Sequence, residues 1–304
     1  MQSKYYANGK LLITGEYLVM FGTEALAIPT KYGQSMLVNE TTDSSSIKWT
    51  SKESGKTWFN AVISCDLLKI EETSDLEIAK RLSGILIAAK ELNSSFLTTP
   101  TGYEIVTELN FNRNWGLGTS STLISNIASW ARVDPFQLLR KISKGSGYDI
   151  ACAREEKPLL YKLSNQIPTY KRVDFNPPFK DHIYFVYLNQ KQNTEQSISN
   201  MSHLIEKKSE IQEITQITNE FAKAKNLRSA QKLIAEHEII ISHLINQEPV
   251  QSLRFKDFQG VIKSLGAWGG DFVMVLTELT DKQVRTYFSG QNLQTVLPWN
   301  EVAL

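Results

Sequence analysis

The chain has 304 residues, of which 41% are hydrophobic and 21% are charged, and its formal net charge is +1. This composition is typical of a globular protein with a large core, and a charge so close to zero argues against bulk electrostatic attraction to nucleic acid or membranes. The two cysteines, Cys65 and Cys152, lie far apart without metal-ligand spacing, which argues against a disulfide framework. No apolar run reaches the length of about 18 residues that spans a bilayer. We therefore expect a cytoplasmic protein with no nucleic-acid or membrane partner.

Strands dominate the first part of the chain. Asn8-Gly9 is a strong hairpin signal, and it predicts a turn between two short arms at residues 4–7 and 10–14. Alternating and apolar runs predict four further strands: Thr23–Thr30, Gln34–Glu40, Ile47–Thr50 and Thr57–Ile63. The apolar spacing then becomes helical, which predicts a helix over Asp75–Leu92 with Ser74 or Asp75 as its N-cap.

Helices are grouped in the later part of the chain. Pro135 is at a first-turn position of a predicted helix over Phe136–Ser143, and the two prolines of Asn176–Phe179 indicate a lobe boundary. The segments predicted beyond it are the strands His182–Leu188, Phe272–Glu278 and Thr295–Leu297, and the helices Thr194–Phe221, Asn226–Gln247, Pro249–Leu265 and Asp281–Tyr287. Strands first and helices grouped later indicate an α+β architecture.

A glycine-rich stretch, Asn112–Thr122, separates the predicted strand Tyr103–Leu109 from a helix. Glycines let backbone N–H groups approach a ligand, and the first turn of a helix carries unpaired N–H groups and partial positive charge. The stretch therefore predicts an anion site, for which phosphate is a common ligand. The alternative is a plain helix start capped by Thr119 or Ser120. The stretch matches neither the Walker pattern nor the dinucleotide fingerprint.

Three glycine-rich motifs and one segment between them, taken in order, resemble those of the GHMP kinases (galactose, homoserine, mevalonate and phosphomevalonate kinases and relatives). Ala7–Gly22 is similar to the family's A-P-G-K…G-E opening, with Asn8 in place of proline. Trp115–Thr122 resembles the G-L-G-S-S-A phosphate loop, and Lys263–Asp271 resembles the S-G-A-G-G-G-D loop. Between them, Gly145–Ala151 resembles the S-G-x-D segment in a variant that reads G-Y-D-I-A. The match covers nearly the whole chain.

The resemblance implies a two-lobed α+β fold. Residues 1–178 would form an ATP-binding N-terminal lobe of ribosomal-S5-like type, and residues 179–304 would form a ferredoxin-like C-terminal lobe. ATP and a small-molecule acceptor would bind in the cleft between these lobes. We expect the protein to be a monomer or a homodimer.

The resemblance also implies a role for each residue that matches a motif. Ser120 falls where the family has a serine near Mg²⁺, which with ATP is the expected cofactor. Glu16, Tyr17 and Gly147 would bind the acceptor. The second and third motifs would wrap the ATP phosphates with these residues: Trp115, Gly116, Leu117, Gly118, Thr119, Ser120, Ser121, Gly266, Ala267, Gly269 and Gly270.

Asp149 and Lys10 match the two catalytic positions of the family. Phosphoryl transfer needs positioning and charge neutralisation more than covalent help, and lysine is a point charge suited to phosphate oxygens. A nearby lysine also lowers the pKa of a carboxyl group, so Lys10 would keep Asp149 ionised. Asp149 would then accept the proton of the acceptor hydroxyl or only orient that hydroxyl. The alternative assignments are a turn aspartate and a surface strand lysine.

Two departures from the family pattern bear on the site. Trp268 replaces a small residue in the third motif, and a side chain of that size can narrow the phosphate or acceptor side. In mevalonate kinases a glutamate on the helix before the aspartate helps to bind Mg²⁺, whereas this chain has Leu138 there and Gln137 beside it. Mg²⁺ would therefore be held by ATP, Ser120 and water, or by a carboxylate from elsewhere.

The acceptor remains open between mevalonate and phosphomevalonate. G-E-Y at Gly15–Tyr17 and D-I-A at Asp149–Ala151 resemble bacterial phosphomevalonate kinases, but the sequence shows no strong basic cluster for a phosphorylated acceptor. A kinase for another small metabolite and a family member that binds nucleotide without catalysis are the alternatives. Diphosphomevalonate decarboxylase, which shares the family's fold, is a further one.

Overall fold

The computed structural model describes residues 2–42, 45–98, 101–190, 206–266, 268 and 270–304. The chain divides into two compact units, each made of several stretches of sequence. Unit 1 comprises residues 1–9, 32–113 and 117–154, and unit 2 comprises residues 10–31, 114–116 and 155–304. The lobe boundary at residue 178 stays a prediction.

Two long strands at the start of the chain contribute residues to both units. β1 (Gln2–Leu12) pairs with β2 (Ala25–Thr41). The hairpin predicted at Asn8-Gly9 is wrong, because β1 continues through both residues and neither has the positive φ that a tight two-residue turn requires. Pairing along the whole strand therefore overrides the local turn preference.

The sheet of unit 1 has the strand order β5-β4-β3-β6-β2. β3 runs antiparallel to β4 and parallel to β6, and residues 34–41 of β2 run antiparallel to β6. The β3–β4 turn has positive φ at Ser54 and Gly55, as the predicted turn there requires. The further strands of this unit are β3 (Ser46–Glu53), β4 (Lys56–Ser64), β5 (Ile70–Thr73) and β6 (Gly102–Leu109).

Four helices belong to unit 1: α1 (Leu76–Leu92), α2 (Thr119–Ala131), α3 (Pro135–Ile142) and α4 (Tyr148–Ala153). The helix predicted at Asp75–Leu92 is confirmed, and the Asp75 carboxylate caps it by accepting from the N–H groups of Glu77 and Ile78. The apolar faces of the helices join the inner face of the sheet in one core, which includes Trp49, Phe59 and Ile127.

Unit 2 has an antiparallel sheet of order β10-β11-β9-β12. All five residues of β11 are buried, which explains its continuous apolar sequence. Residues 25–27 of β2 pair antiparallel with β7, which pairs with β8. The strands are β7 (Leu159–Ser164), β8 (Ile167–Arg172), β9 (Ile183–Tyr187), β10 (Val261–Ser264), β11 (Phe272–Leu276) and β12 (Val296–Pro298).

The α-helices described in unit 2 are α5 (Lys208–Phe221), α6 (Leu227–Ile245), α7 (Val250–Arg254), α8 (Asp281–Gly290) and α9 (Trp299–Val302), and Leu18–Phe21 and Lys180–His182 are short 3-10 helices. α5 packs against α6, and α6 packs on β10 and β11. The helix predicted at Thr194–Phe221 is confirmed over α5, and residues 194–205 of that prediction lie outside the described residues.

The helix predicted at Pro249–Leu265 is wrong beyond Arg254. Gly260 has a φ of +148°, and a Cβ there would lie 2.5 Å from the Leu276 carbonyl oxygen. Gly260 thus lies against β11, and the chain continues from Val261 as the strand β10, which pairs with β11. The apolar spacing had instead indicated a continuing helix. None of the described helices is both long enough and apolar enough to cross a membrane.

Candidate functional site

The glycine-rich loop of unit 1 leads into a helix start that no side chain caps. α2 begins at Thr119 after Gly118, which has a φ of 97°, and no side chain bonds the first-turn N–H groups in the part of the chain that the structure describes. The alternative of a cap by Thr119 or Ser120 is therefore wrong. Helices α1, α3, α6 and α8, in contrast, are capped by Asp75, Asp134, Asn226 and Thr280. The start of α2 thus keeps its N–H groups and partial positive charge for an anion.

The hydroxyl groups of the α2 start differ in their surroundings. The Ser121 hydroxyl donates to the Gly118 carbonyl at 3.0 Å. The Thr122 hydroxyl is buried and lies 2.9 Å from the Gly118 carbonyl oxygen and 3.1 Å from Oε1 of Gln34. Ser120 is exposed. Ser121 and Thr122 therefore stabilise the loop, and the Ser120 side chain faces solvent, where a ligand can reach it.

Asp149 lies in the first turn of α4, and α4 packs against α2 within unit 1. This helix also begins after a left-handed glycine, Gly147, whose φ is 88°, and no side chain caps it among the described residues. The Asp149 Oδ1 accepts from the N–H of Ile150 at 3.0 Å. Unit 1 therefore carries Gly118–Ser121 and Asp149 at the starts of two neighbouring helices.

Lys10 and the first part of the glycine-rich loop belong to unit 2. The Lys10 ammonium donates from Nζ to the Gly116 carbonyl oxygen at 2.7 Å. Trp115 packs edge-on against Phe272, with ring centroids 5.9 Å apart. Gly116 has a φ of +66°, and a Cβ there would lie 2.1 Å from Oδ2 of Asp271. A side chain at this position would therefore require the Asp271 carboxylate to shift.

Glu16 lies in a buried ion pair. Its carboxylate is 4% exposed, and the Lys263 ammonium donates to its Oε1. Lys263 also donates to the Ser264 carbonyl at 2.7 Å. Burial raises the pKa of the Glu16 carboxyl group, and the Lys263 charge opposes that shift. Because a buried charge left without its partner costs about 3–5 kcal/mol, each member of the pair depends on the other.

Two further titratable groups adjoin this pair on α6. His237 accepts from the N–H of Gly15 through Nε2 at 3.0 Å, so the neutral ring carries its proton on Nδ1. Burial, and then the Lys263 charge, lower the pKa of His237 well below its usual value. Glu238 accepts from the N–H of Ser264 at 3.1 Å, and burial raises the pKa of its carboxyl group to about 7.

Trp268 directs its side chain into the core of unit 2. It is 8% exposed and packs in one cluster with Tyr17, Leu18, Ile217 and Ile241. Its indole N–H donates to the Glu248 carbonyl at 3.2 Å, and its backbone N–H donates to the Tyr17 hydroxyl at 2.7 Å. Trp268 is therefore a core residue of unit 2, and its effect on the phosphate or acceptor side stays a prediction.

The other residues of the third motif are only partly described. Gly266 has a φ of +71° with open space around its Cβ position, and Gly270 is buried. Ala267 and Gly269 lie outside the described residues. Their assignment to the ATP phosphates stays a prediction.

The described residues contain no group of three or more His, Cys, Asp or Glu side chains placed to hold a metal ion. Leu138, at the position of the missing helix carboxylate, is fully buried in the core of unit 1. Mg²⁺ keeps several waters and is bound by few protein ligands together with substrate phosphates. The exposed Ser120 hydroxyl at this uncapped helix start is a ligand of the kind that such an ion accepts, and its assignment to Mg²⁺ stays a prediction.

Sequence reasoning did not find Lys263, His237, Glu238 and Asp271 as partners of the motif residues. Lys263 and Glu16 are 247 positions apart, so no local spacing links them. The available signal was a lysine at the start of the third motif, directly after the apolar residues Val261 and Ile262. A separate cavity of about 660 Å³ beside the end of α6 is lined by His243, Glu248 and Lys256 among others, and by none of the predicted site residues.

Solved structures of small-molecule enzymes share this fold at low sequence identity. The mevalonate kinase of Methanococcus jannaschii aligns with a TM-score of 0.72 and 14% identity over 98% of this chain and 97% of that chain. The Streptococcus pneumoniae phosphomevalonate kinase, solved in complex with phosphomevalonate and AMPPNP, aligns with a TM-score of 0.71 and 13% identity over 97% and 99%. The mevalonate diphosphate decarboxylase of Staphylococcus aureus aligns with a TM-score of 0.60 and 14% identity over 98% and 95%.

No protein-family model and no curated protein sequence matches the chain. The alignments with solved structures nevertheless cover nearly the full length of both chains. The resemblance of the four sequence segments to the GHMP kinases agrees with these alignments. The chain has the α+β fold of the GHMP kinases.

Proposed function

We propose that this protein is an ATP-dependent phosphotransferase that acts on mevalonate or phosphomevalonate. The observation that carries the proposal is the start of α2, where a left-handed glycine leads into a helix that no described side chain caps. Such a helix start binds phosphate through backbone N–H groups. The GHMP kinase fold makes ATP the natural source of that phosphate, since the phosphomevalonate kinase with this fold was solved with AMPPNP.

In this proposal the chain contributes charge and position. Backbone N–H groups at Gly118–Ser121 bind the ATP phosphates, and Ser120 holds Mg²⁺ together with those phosphates. When bound, Mg²⁺ neutralises part of the phosphate charge. The Lys10 ammonium, which here donates to the Gly116 carbonyl, supplies a further positive charge to the transferring group.

The transfer forms a bond between an acceptor oxygen and the γ-phosphorus and breaks the bond from that phosphorus to the β–γ bridging oxygen. The electron pair of the broken bond leaves on ADP. When the acceptor is the mevalonate hydroxyl, its proton passes to the Asp149 carboxylate or, if Asp149 only orients the hydroxyl, to water. When the acceptor is a phosphate, the attacking oxygen is already largely ionised at neutral pH, because the second pKa of a phosphate monoester is about 6.

The test is release of ADP from ATP and Mg²⁺ with mevalonate and 5-phosphomevalonate in parallel, with the phosphorylated product identified by mass. We expect turnover with one of the two. Asp149→Asn should lower kcat by about 10²–10⁴-fold while ATP affinity changes little. Because a phosphate acceptor has no proton to remove, the loss should be smaller if phosphomevalonate is the substrate. Near-normal turnover of this variant with mevalonate would contradict the assigned role.

Other outcomes of the same assay identify the alternatives. Turnover only with galactose or homoserine would indicate a kinase for another metabolite. Release of CO₂ from diphosphomevalonate would indicate a decarboxylase. ATP binding without turnover on any acceptor would indicate a non-catalytic nucleotide-binding protein. Each of these results would overturn the proposed acceptor.

A further inference from the structure

The segment Gly15–Tyr17, which follows β1 and its Lys10, is held at each of its three residues by later parts of unit 2. The N–H of Gly15 donates to Nε2 of His237 at 3.0 Å. Glu16 is bonded by the Lys263 ammonium. The Tyr17 hydroxyl accepts from the N–H of Trp268 at 2.7 Å.

The backbone of this segment is held in a conformation that it does not favour by itself. Gly15 has a φ of +90°, and a Cβ there would lie 2.6 Å from the Cβ of Ala25. Tyr17 has a φ of 61°, which is unfavourable for a bulky side chain. Such a conformation persists only where the surrounding contacts over-determine it. The three bonds to α6, β10 and the third motif are contacts of this kind.

Among these contacts the one from Lys263 is the charged one, and it is almost fully enclosed. Its side chain is 1% exposed and comes from β10, the strand that leads into the third motif. It lies next to a second buried carboxylate, Glu238, which bonds the N–H of the adjacent Ser264. A lysine is rarely buried unless a functional or structural demand pairs it. The pair joins the segment of the first motif to the strand of the third.

We propose that Lys263 is a positioning residue that holds Gly15–Tyr17 through Glu16 in the conformation required by the acceptor. The proposal rests on the proposed function for its effect on the acceptor, and on the geometry of unit 2 for the held segment. Because the Lys263 side chain is 1% exposed, we expect it to act through Glu16 without touching substrate or nucleotide. Its removal should therefore raise the KM for the acceptor and leave the affinity for ATP largely unchanged.

The first test needs no activity. Hydrogen–deuterium exchange is measured for the peptide that contains residues 15–17 in the wild type, in Lys263→Met and in Lys282→Met, a matched change at an exposed lysine of unit 2. We expect exchange at this peptide to become about tenfold faster in Lys263→Met only, while the peptide of α1 in unit 1 is unchanged. Unchanged protection of residues 15–17 would overturn the proposal.

A double-mutant cycle separates positioning from simple loss of a counter-ion. The double variant Glu16→Gln/Lys263→Met removes both charges of the pair, so it should fold more stably than Lys263→Met, which leaves the Glu16 carboxylate without its partner. We expect the acceptor KM to rise about tenfold or more in Lys263→Met and in Glu16→Gln, with no further rise in the double variant. If the KM increases of the two single variants multiply in the double variant, or if the double variant has a normal KM, Lys263 does not act through Glu16.

The two proposals can fail separately. If the wild type transfers phosphate to no acceptor but residues 15–17 lose protection in Lys263→Met, the proposed function fails and the holding role of Lys263 stands. If the wild type is active and Lys263→Met keeps both its protection and its acceptor KM, the positioning role fails and the proposed function stands.

Discussion

The Lys10 ammonium lies 2.7 Å from the carbonyl oxygen of Gly116, to which it donates a hydrogen bond. This bond joins the strand of the first glycine-rich motif to the start of the second within unit 2. An ammonium group has three N–H donors and a positive charge, which suit phosphate oxygens.

Lys10→Met should lower kcat by about 10²–10³-fold, because it removes a positive charge from the transferring phosphoryl group. Lys4→Met is the matched control, since Lys4 is exposed on the same strand. Steady-state kinetics, with the acceptor that the ADP-release assay identifies, and thermal unfolding check this prediction. A kcat loss of the same size in Lys4→Met, or none in Lys10→Met, would exclude the assigned role of Lys10.

Gly116→Ala should destabilise the protein more than Gly266→Ala. Both residues have similar positive φ values, +66° and +71°, so the backbone strain of an alanine is similar at the two positions. Only Gly116 has a neighbour, the Asp271 carboxylate, within contact of the added Cβ. We expect an additional loss of about 1–3 kcal/mol in the free energy of unfolding, measured by urea denaturation. Equal losses would show that the carboxylate moves aside without cost.

Trp268→Ala should destabilise the protein by about 3–5 kcal/mol, because it leaves a cavity in the cluster beside α5 and α6. Trp268→Phe keeps most of the packing but loses the indole hydrogen bond to Glu248. The lost bond should lower the free energy of unfolding by about 1 kcal/mol, in addition to the cost of the smaller side chain. Chemical denaturation of both variants measures these losses. A change in ligand affinity without a loss of stability would instead indicate that Trp268 faces a ligand.

Glu238→Gln should change how stability depends on pH. The folded protein holds the Glu238 proton up to a pKa of about 7, whereas the unfolded chain releases it near 4.5. Between these values the folded state binds more protons, so this group lowers stability as the pH rises. This pKa shift corresponds to a loss of at most about 3 kcal/mol in the free energy of unfolding.

The variant should therefore gain about 1–3 kcal/mol relative to the wild type between pH 5 and pH 8, measured by urea denaturation at each pH. His237 contributes in the opposite direction below its usual pKa, because the unfolded chain binds the proton first. The His237 contribution is common to the wild type and Glu238→Gln, so it largely cancels in the difference between their free energies of unfolding. Glu236→Gln, at an exposed position of the same helix, should show no such gain.

The sequence was informative wherever a local pattern and the tertiary structure agree. Asp75, one of the two predicted caps, does cap α1, the helix predicted from Asn226 begins directly after that residue, and the glycine-rich loop does lead from a strand into α2. The α+β fold followed from a motif resemblance, and the solved structures with this fold confirm it.

Prediction failed where distant parts of the chain decide the local conformation. Asn8-Gly9 remains extended because β1 pairs with β2, and Gly260 approaches β11, which no pattern around either residue encodes. The contact between Lys263 and Glu16 could not be predicted for the same reason. The two residues meet only after β10 and the end of β1 are placed in one unit.

The burial of Trp268 makes the third motif mechanically dependent on the interior of unit 2. A glycine-rich segment that carries only small side chains can shift with little resistance, whereas this one is anchored by an indole among Leu18, Ile217 and Ile241. Any displacement of the segment by a ligand must draw that indole out of its packing. We therefore expect ligand affinity and conformational stability to be linked, so Ile241→Val, a substitution in the same cluster, should affect both.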